Sequence, residues 1–246
     1  MAGHSKWKQI KHKKALTDSK RAAAWTKIIR EITVAAKAGG GDPAGNPRLR
    51  LAMDTARAAN MPNDNIDRAI KKGTGELEGV SYEEITYEAY GPAGVAIMID
   101  ALTDNANRTV ADIRRWLSRN GGNLGTTGSV AWMFDRRGEI VIDGERFDED
   151  TVMEAALEAG AEDVVSEEGV HTVYTATSDL GAVQDGLREK GIEWDSAELA
   201  MVPKTEVKVT GDDAQTLAKL LDLLEDLDDV QKVYTNADMD VDLAEV

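Results

Sequence analysis

The apolar positions of the first third of the chain recur with helical period. From Arg21 to Ala38, Trp25, Ile28, Ile29, Ile32 and Ala36 follow one another at three- and four-residue steps and cover one face. Lys20, Lys27, Arg30 and Lys37 fall on the opposite face. Gly39-Gly40-Gly41 ends this helix, as glycine favours a C-terminal cap. A second helix is predicted from Pro47 to Asn60, with proline in its first turn, where no donor is lost. Leu49, Ala52, Met53 and Ala56 form its apolar stripe, and Arg50 and Arg57 share another. A third, short helix follows Pro62, capped by Asn63 or Asp64, with Ile66, Ala69 and Ile70 inward, and ends before Gly73.

The chain changes character after Gly79. Ile85–Tyr90 reads as a strand, Gly91-Pro92 as a turn, Val95–Ala101 as a buried strand, Asn107–Asn120 as a helix with Val110, Ile113 and Leu117 inward, and Val130–Phe134 as a strand. Then come strand Glu139–Ile142, helix Asp148–Ala159, strands Asp163–Ser166 and Val170–Ala176, helix Leu180–Glu189 and strand Trp194–Met201. That order is β-α-β-β-α-β, the ferredoxin-like pattern. A closing β-α-β (Thr205–Thr210, Asp213–Glu225, Val230–Thr235) cannot easily cover its own core and is completed by the β-β-α-β before the insert. The expected fold is α+β with three parts. These are an N-terminal helical bundle (1–75), a discontinuous α+β middle domain (80–135 plus 203–246) and an inserted ferredoxin-like (βαββαβ) domain (136–202).

Charge alters the functional picture. The formal net charge of the 246 residues is −16, which taken alone argues against a polyanion partner. Residues 1–72, however, hold 16 basic and 6 acidic side chains, a net of +10; the rest holds 13 basic and 39 acidic ones, a net of −26. Such asymmetry points to a basic nucleic-acid- or membrane-binding arm. The membrane is the weaker reading, because the face from Trp25 to Ala36 is needed for the bundle core and the acidic remainder would repel anionic lipid. The longest apolar run, Val95–Ile99, is far short of the ~20 residues a membrane helix needs. The N-terminus lacks the apolar core of a signal peptide, and a cytoplasmic protein is expected. The chain has no cysteine, which excludes disulfides and thiolate metal sites.

The basic arm is the strongest chemical feature. Lys6, Trp7, Lys8, Lys11, His12, Lys13 and Lys14 combine cations for phosphates with an aromatic able to stack on an unpaired base. Lys20, Arg21, Lys27, Arg30, Arg48, Arg50 and Arg57 extend the candidate nucleic-acid-binding set along the helices. The plainer alternative is a solvated helix face with Trp7 packed on the bundle. Arg108, Arg115 and Arg119 share a stripe of a later helix and form a secondary patch. It either faces an anion or RNA or pairs with nearby carboxylates, while Asp104 or Asn105 serves as an ordinary helix cap.

Other motifs carry less. Gly121-Gly-Asn-Leu-Gly125-Thr-Thr-Gly128 lacks the lysine and the strand-to-helix context of a phosphate loop, and reads as a helix cap followed by a flexible loop. Asp238-Met-Asp240-Val-Asp242 has Leu243 where a calcium loop needs glycine. His4 and His12 have no ligand cluster, and His171 stands alone in a strand. No catalytic residue, metal or cofactor is expected.

Several of these segments together resemble the YebC/PmpR family. They include Met1-Ala-Gly-His-Ser-Lys-Trp7, Ile10-Lys-His12, Thr26-Lys-Ile-Ile-Arg-Glu31, Gly40-Gly-Asp-Pro43, Asn46-Pro-Arg-Leu-Arg50 and Asn60-Met-Pro62. Tyr87-Glu-Ala-Tyr-Gly-Pro92, Leu102-Thr-Asp-Asn105, Asn107-Arg-Thr109, Asn120-Gly-Gly-Asn-Leu-Gly125, Gly128-Ser-Val130 and Glu154–Asp163 extend the match over essentially the whole chain. Trp25, where phenylalanine is usual, and Ala89, where glycine is usual, are minor departures. The resemblance implies three domains, the third inserted in the second, and a cytoplasmic, cofactor-free, non-enzymatic regulator of gene expression. Bacterial members are described as DNA-binding transcriptional regulators. Others, including mitochondrial translational activators of cytochrome oxidase synthesis, look like ribosome-associated translation factors that relieve stalling. The implied partner is therefore DNA or ribosomal RNA, with the ribosome or another protein beside it. A protein–protein adaptor that binds no nucleic acid is the alternative of another class.

Overall fold

The computed structural model describes residues 18–167 and 169–239, with side chains from residue 23 onward. The fold is α+β: a helical bundle, a discontinuous α+β part and an inserted ferredoxin-like part. The bundle consists of α1 (Asp18–Gly39), α2 (Pro47–Ala58) and α3 (Asn63–Thr74). Ile32, Ala35, Leu49, Ala56, Ile66 and Ala69 are buried together in its core, with Trp25, Ile28 and Ile29 packed against them. Asn46 ties the α1–α2 connection. Its Oδ1 accepts from the Leu49 amide at 3.1 Å, and its Nδ2 donates to the carbonyls of Ala35 and Gly40 at 2.8 and 2.9 Å. α3 does not end before Gly73 but runs through it. A Cβ at that position would lie 2.4 Å from the Thr33 carbonyl and 2.7 Å from the Ala36 Cβ. Glycine there is a close helix crossing rather than a stop, and the left-handed cap is Gly75 (φ +83°).

The middle part is built on β1 (Glu83–Tyr90), β2 (Ala96–Thr103), α4 (Ala106–Arg119) and β3 (Asn123–Leu124), completed by β8 (Val207–Val209), α7 (Gly211–Glu225), β9 (Val230–Thr235) and β10 (Ala237–Met239). The sheet order is β3-β1-β2-β9, all antiparallel, and β8 pairs in parallel with β10. Alternation divides the side chains of β1. Tyr87 and Ala89 join Ile97, Ile99, Ile113, Leu117, Leu217 and Leu221 in a core under α4 and α7. Glu84, Thr86 and Glu88 therefore occupy the other face. Within α4, Thr109, Ile113 and Leu117 are the buried stripe, while Val110 is half-buried.

Residues 133–205 form a second compact unit. It contains β4 (Phe134–Asp143), α5 (Glu149–Glu158), β5 (Asp163–Glu167), β6 (Val170–Thr175), α6 (Leu180–Glu189) and β7 (Ser196–Pro203). The antiparallel order β5-β6-β4-β7 is the ferredoxin-like one. The expected strand at Val130–Phe134 is instead a 3-10 turn over Ala131–Met133, leading into the ten-residue β4. The short β3 takes the third place in the middle sheet. His171 is a satisfied core residue: its Nδ1 meets the Ser166 hydroxyl at 2.8 Å and its Nε2 the Phe147 carbonyl at 2.9 Å.

Candidate nucleic-acid interface

Lys6, Trp7, Lys8, Lys11, His12, Lys13 and Lys14 lie outside the described residues. Lys20 and Arg21 belong to α1, but their side chains also lie outside the description. The remaining cations of the predicted interface are placed, and most already hold an internal acceptor, a carboxylate for Arg30, Arg48 and Arg57. Lys27 donates to the Glu225 carbonyl at the C-terminal end of α7. Arg30 donates to the Asp229 carboxylate at 2.6 Å and to the Leu102 carbonyl at 2.9 Å, beside the Tyr82 ring. Arg48 sits between two carboxylates, Glu31 (2.7 and 3.1 Å) and Glu84 (2.8 and 2.9 Å), each bound through both oxygens. Its hydrogen bonds to Glu31 and then to Glu84 hold it charged more firmly than an ordinary arginine. Arg57 pairs with Asp54 one turn away at 2.9 Å. Arg50, Arg68, Lys71 and Lys72 are exposed.

Asp229 is the centre that the residue pattern did not reveal. It lies just before β9, 7% exposed, and its carboxylate collects Arg30, Arg108 at 2.8 and 3.0 Å, and the hydroxyls of Thr109 and Thr103 at 2.7 and 3.3 Å. Burial pushes its carboxyl upward, but Thr109, Arg108 and Arg30 outweigh that and hold it below the usual aspartate value. Helix α4 is positioned for this by Asn105, whose side chain caps it by accepting from the Arg108 amide at 3.1 Å. Of the secondary patch, Arg108 is thus engaged by Asp229 and Asp104. Arg115 and Arg119 are exposed and lie 5.0 and 5.9 Å from the ring centre of Trp116.

The glycine-rich segment wraps an internal carboxylate. Glu88, 7% exposed, accepts from the amides of Gly128, Val130 and Ala131 at 2.6, 2.7 and 2.8 Å. Its burial raises the carboxyl, but these amides more than reverse the effect, and its pKa is lowered. Amides that a phosphate loop would offer to a ligand are therefore spent on the protein's own glutamate, and the segment is anchored where a flexible loop was expected. The 3-10 turn that follows it carries Trp132, 67% exposed. A buried Glu within a strand of an acidic chain gives no signal in the sequence, because only the loop's return reveals what it binds.

Among the described residues, no group of three or more His, Asp or Glu side chains is arranged to hold a metal ion. No described helix is long and apolar enough to cross a membrane. The family description "TACO1/YebC protein N-terminal domain" matches residues 5–76, and "TACO1/YebC second and third domain" matches residues 82–237. The chain belongs to the YebC family. YebC-family relatives include a protein of Gemmatimonas aurantiaca, 61% identical with 98% of each chain covered, and one of Desulforapulum autotrophicum, 55% identical with 97% of each covered. Both are named "probable transcriptional regulatory protein". The crystal structure of a conserved hypothetical protein from Aquifex aeolicus superimposes with a TM-score of 0.90 at 45% identity, covering 97% of this chain and 99% of that one.

Proposed function

We propose that this YebC-family chain is a non-enzymatic, nucleic-acid-binding regulator of gene expression, acting in the cytoplasm as a DNA-binding transcriptional regulator. The observation that carries the reading is the segregation of charge, +10 over residues 1–72 against −26 elsewhere. The basic end engages the polyanion, and the acidic remainder is held away from it, which limits non-specific coating. The names of the relatives agree with a regulator.

A second reading, a ribosome-associated translation factor, is favoured by a specific feature of the helical part. Helix α2 presents Arg50 but contains no Asn or Gln with which to read base edges. Gripping phosphate and shape suffices on ribosomal RNA, whereas an operator demands base contacts. Reversal of Lys11, Lys13 and Lys14 to Glu should weaken binding and flatten its salt dependence, by about 0.9 per lost contact on duplex DNA. Unchanged binding refutes the phosphate role of the arm, and no nucleic-acid retention by the unaltered chain at modest salt leaves a protein–protein adaptor. Sedimentation of cell extract with and without nuclease, paired with DNA footprinting, divides the two readings. A sequence-specific footprint without ribosomal co-migration supports transcription; the converse supports translation.

A further inference from the structure

The middle part of the chain is acidic, yet helix α4 presents an outer face without a carboxylate. Its exposed residues are Asn107, Arg108, Ala111, Arg114, Arg115, Ser118 and Arg119. Arg108 is bound by Asp104 and Asp229. Arg114, Arg115 and Arg119 have no ion pair among the described residues. Arg115 and Arg119 stand one turn apart, a like-charge spacing that weakens a helix. Carboxylates are abundant in this chain, but the positions four before and after Arg114 are Val110 and Ser118, those around Arg115 are Ala111 and Arg119, and the one carboxylate within α4, the half-buried Asp112 three residues before Arg115, forms no ion pair with it among the described residues. Both guanidinium groups lean on the half-buried Trp116 ring, which fixes them while leaving their donors outward.

The position of this face gives it a meaning. Arg30 of the basic helix α1 and Arg108 at the start of α4 converge on the same Asp229 carboxylate. The arginine stripe of α4 therefore begins where the basic bundle helix docks and runs on for about 16 Å, eleven residues at 1.5 Å each. Every cation on the outer face is arginine, whose planar fork of donors suits phosphate oxygens.

The geometry points to a second phosphate-binding surface on α4, formed by Arg114, Arg115 and Arg119, over which a nucleic-acid strand held by the basic bundle continues. This rests on the nucleic-acid reading above but does not require the N-terminal arm. The ligand is the sugar–phosphate backbone, and the surface takes RNA or DNA without reading sequence.

The test uses the full chain and a fluorescein-labelled 20-nucleotide oligouridylate, with affinity measured against salt. The Arg115→Ala/Arg119→Ala double variant should lower the salt slope by about 1.4 and the affinity at 0.1 M salt by about 25-fold, at roughly 0.7 per lost single-strand contact. Arg188→Ala, which removes an exposed arginine stacked on Trp194 and paired with Asp185 in the inserted unit, should leave both unchanged and serves as a control. Thermal unfolding establishes that each variant is folded, and Arg114→Ala alone should give about half the slope change. Three results separate this surface from the broader reading. Loss on Lys11/Lys13/Lys14 reversal with an unchanged slope for the Arg115/Arg119 variant overturns the α4 surface and leaves the arm; such a face would serve protein carboxylates instead. Loss in the Arg115/Arg119 variant but not on arm reversal supports α4 and overturns the arm. No binding by the unaltered chain at 50 mM salt overturns both.

Discussion

Replacing Asp229 by Asn should destabilise the protein more than any single change on the exposed basic surface. The carboxylate is 9% exposed at its side chain, and its partner Arg30 is 13% exposed. Loss of the negative charge leaves Arg30 buried against an amide, with its donors still directed at the Leu102 carbonyl and the former carboxylate. Removing one member of a buried pair costs about 3–5 kcal/mol. A typical total of about 5–15 kcal/mol makes that a large fraction. With a urea slope of about 2–3 kcal/mol/M, the unfolding midpoint should fall by at least about 1 M. A double-mutant cycle with Arg30→Met isolates the pair: the double variant should be less destabilised than the sum of the single ones by more than about 1 kcal/mol. The pH dependence has a fixed sign. Because the folded carboxyl sits below its usual value, its contribution is full above the unfolded value of about 3.9 and is lost as the pH falls through the folded one. Wild-type stability should therefore drop more steeply below pH ~4 than that of the Asn variant. A midpoint shift equivalent to less than ~0.5 kcal/mol, together with zero coupling to Arg30, would refute the reasoning.

Three further outcomes follow from the geometry. Glu88→Gln turns one acceptor into a donor facing the amides of Gly128, Val130 and Ala131; it should cost about 1–3 kcal/mol and abolish hydrogen-exchange protection at those amides, and retained protection would exclude the anchoring role. Gly73→Ala should destabilise by about 1–3 kcal/mol despite alanine's higher helix propensity, because its Cβ meets the Thr33 carbonyl at 2.4 Å; a stabilised variant in urea unfolding would contradict the close crossing. On duplex DNA, Arg50→Ala should reduce the salt slope by about 0.9, whereas Arg48→Ala, two residues away, should leave it unchanged; equal slopes for both variants would contradict the pairing of Arg48 with Glu31 and Glu84.

Most of the fold was legible because its elements carry strong local signals. The period of Trp25, Ile28, Ile29 and Ile32 makes α1, and the runs at Val95–Ala101 and Leu180–Glu189 mark a buried strand and an amphipathic helix. Local signals mislead where tertiary contact overrides the local rule. Gly73 reads as a stop, but it lies within α3, where Thr33 and Ala36 approach too closely for any side chain. Val130–Phe134 has strand composition, yet its amides turn inward to Glu88, and the ladder starts only at Phe134. The candidate interface was legible in the type of its residues but not in their availability. Asp229 lies 199 residues from Arg30, and no window of sequence connects them.

Availability is the quantity that decides what the charge pattern means. A net of +10 over residues 1–72 counts Arg30 and Arg48 equally with Arg50, but Arg48 is held by Glu31 through two hydrogen bonds and Arg30 is buried against Asp229, which leaves little of either for phosphate. The same reasoning reverses the reading of the acidic remainder. Its net of −26 includes Asp229 and Glu84, which neutralise arginines of the bundle, and Glu88, which is satisfied by backbone amides inside a loop. Once those internal partners are removed from both sides of the count, exposed cations remain on α2, α3 and α4, so available cations extend beyond the segment that composition alone marks as basic. A polyanion would therefore be recognised by the unpaired cations, whichever part of the chain supplies them, and the paired ones hold in place the elements that present them.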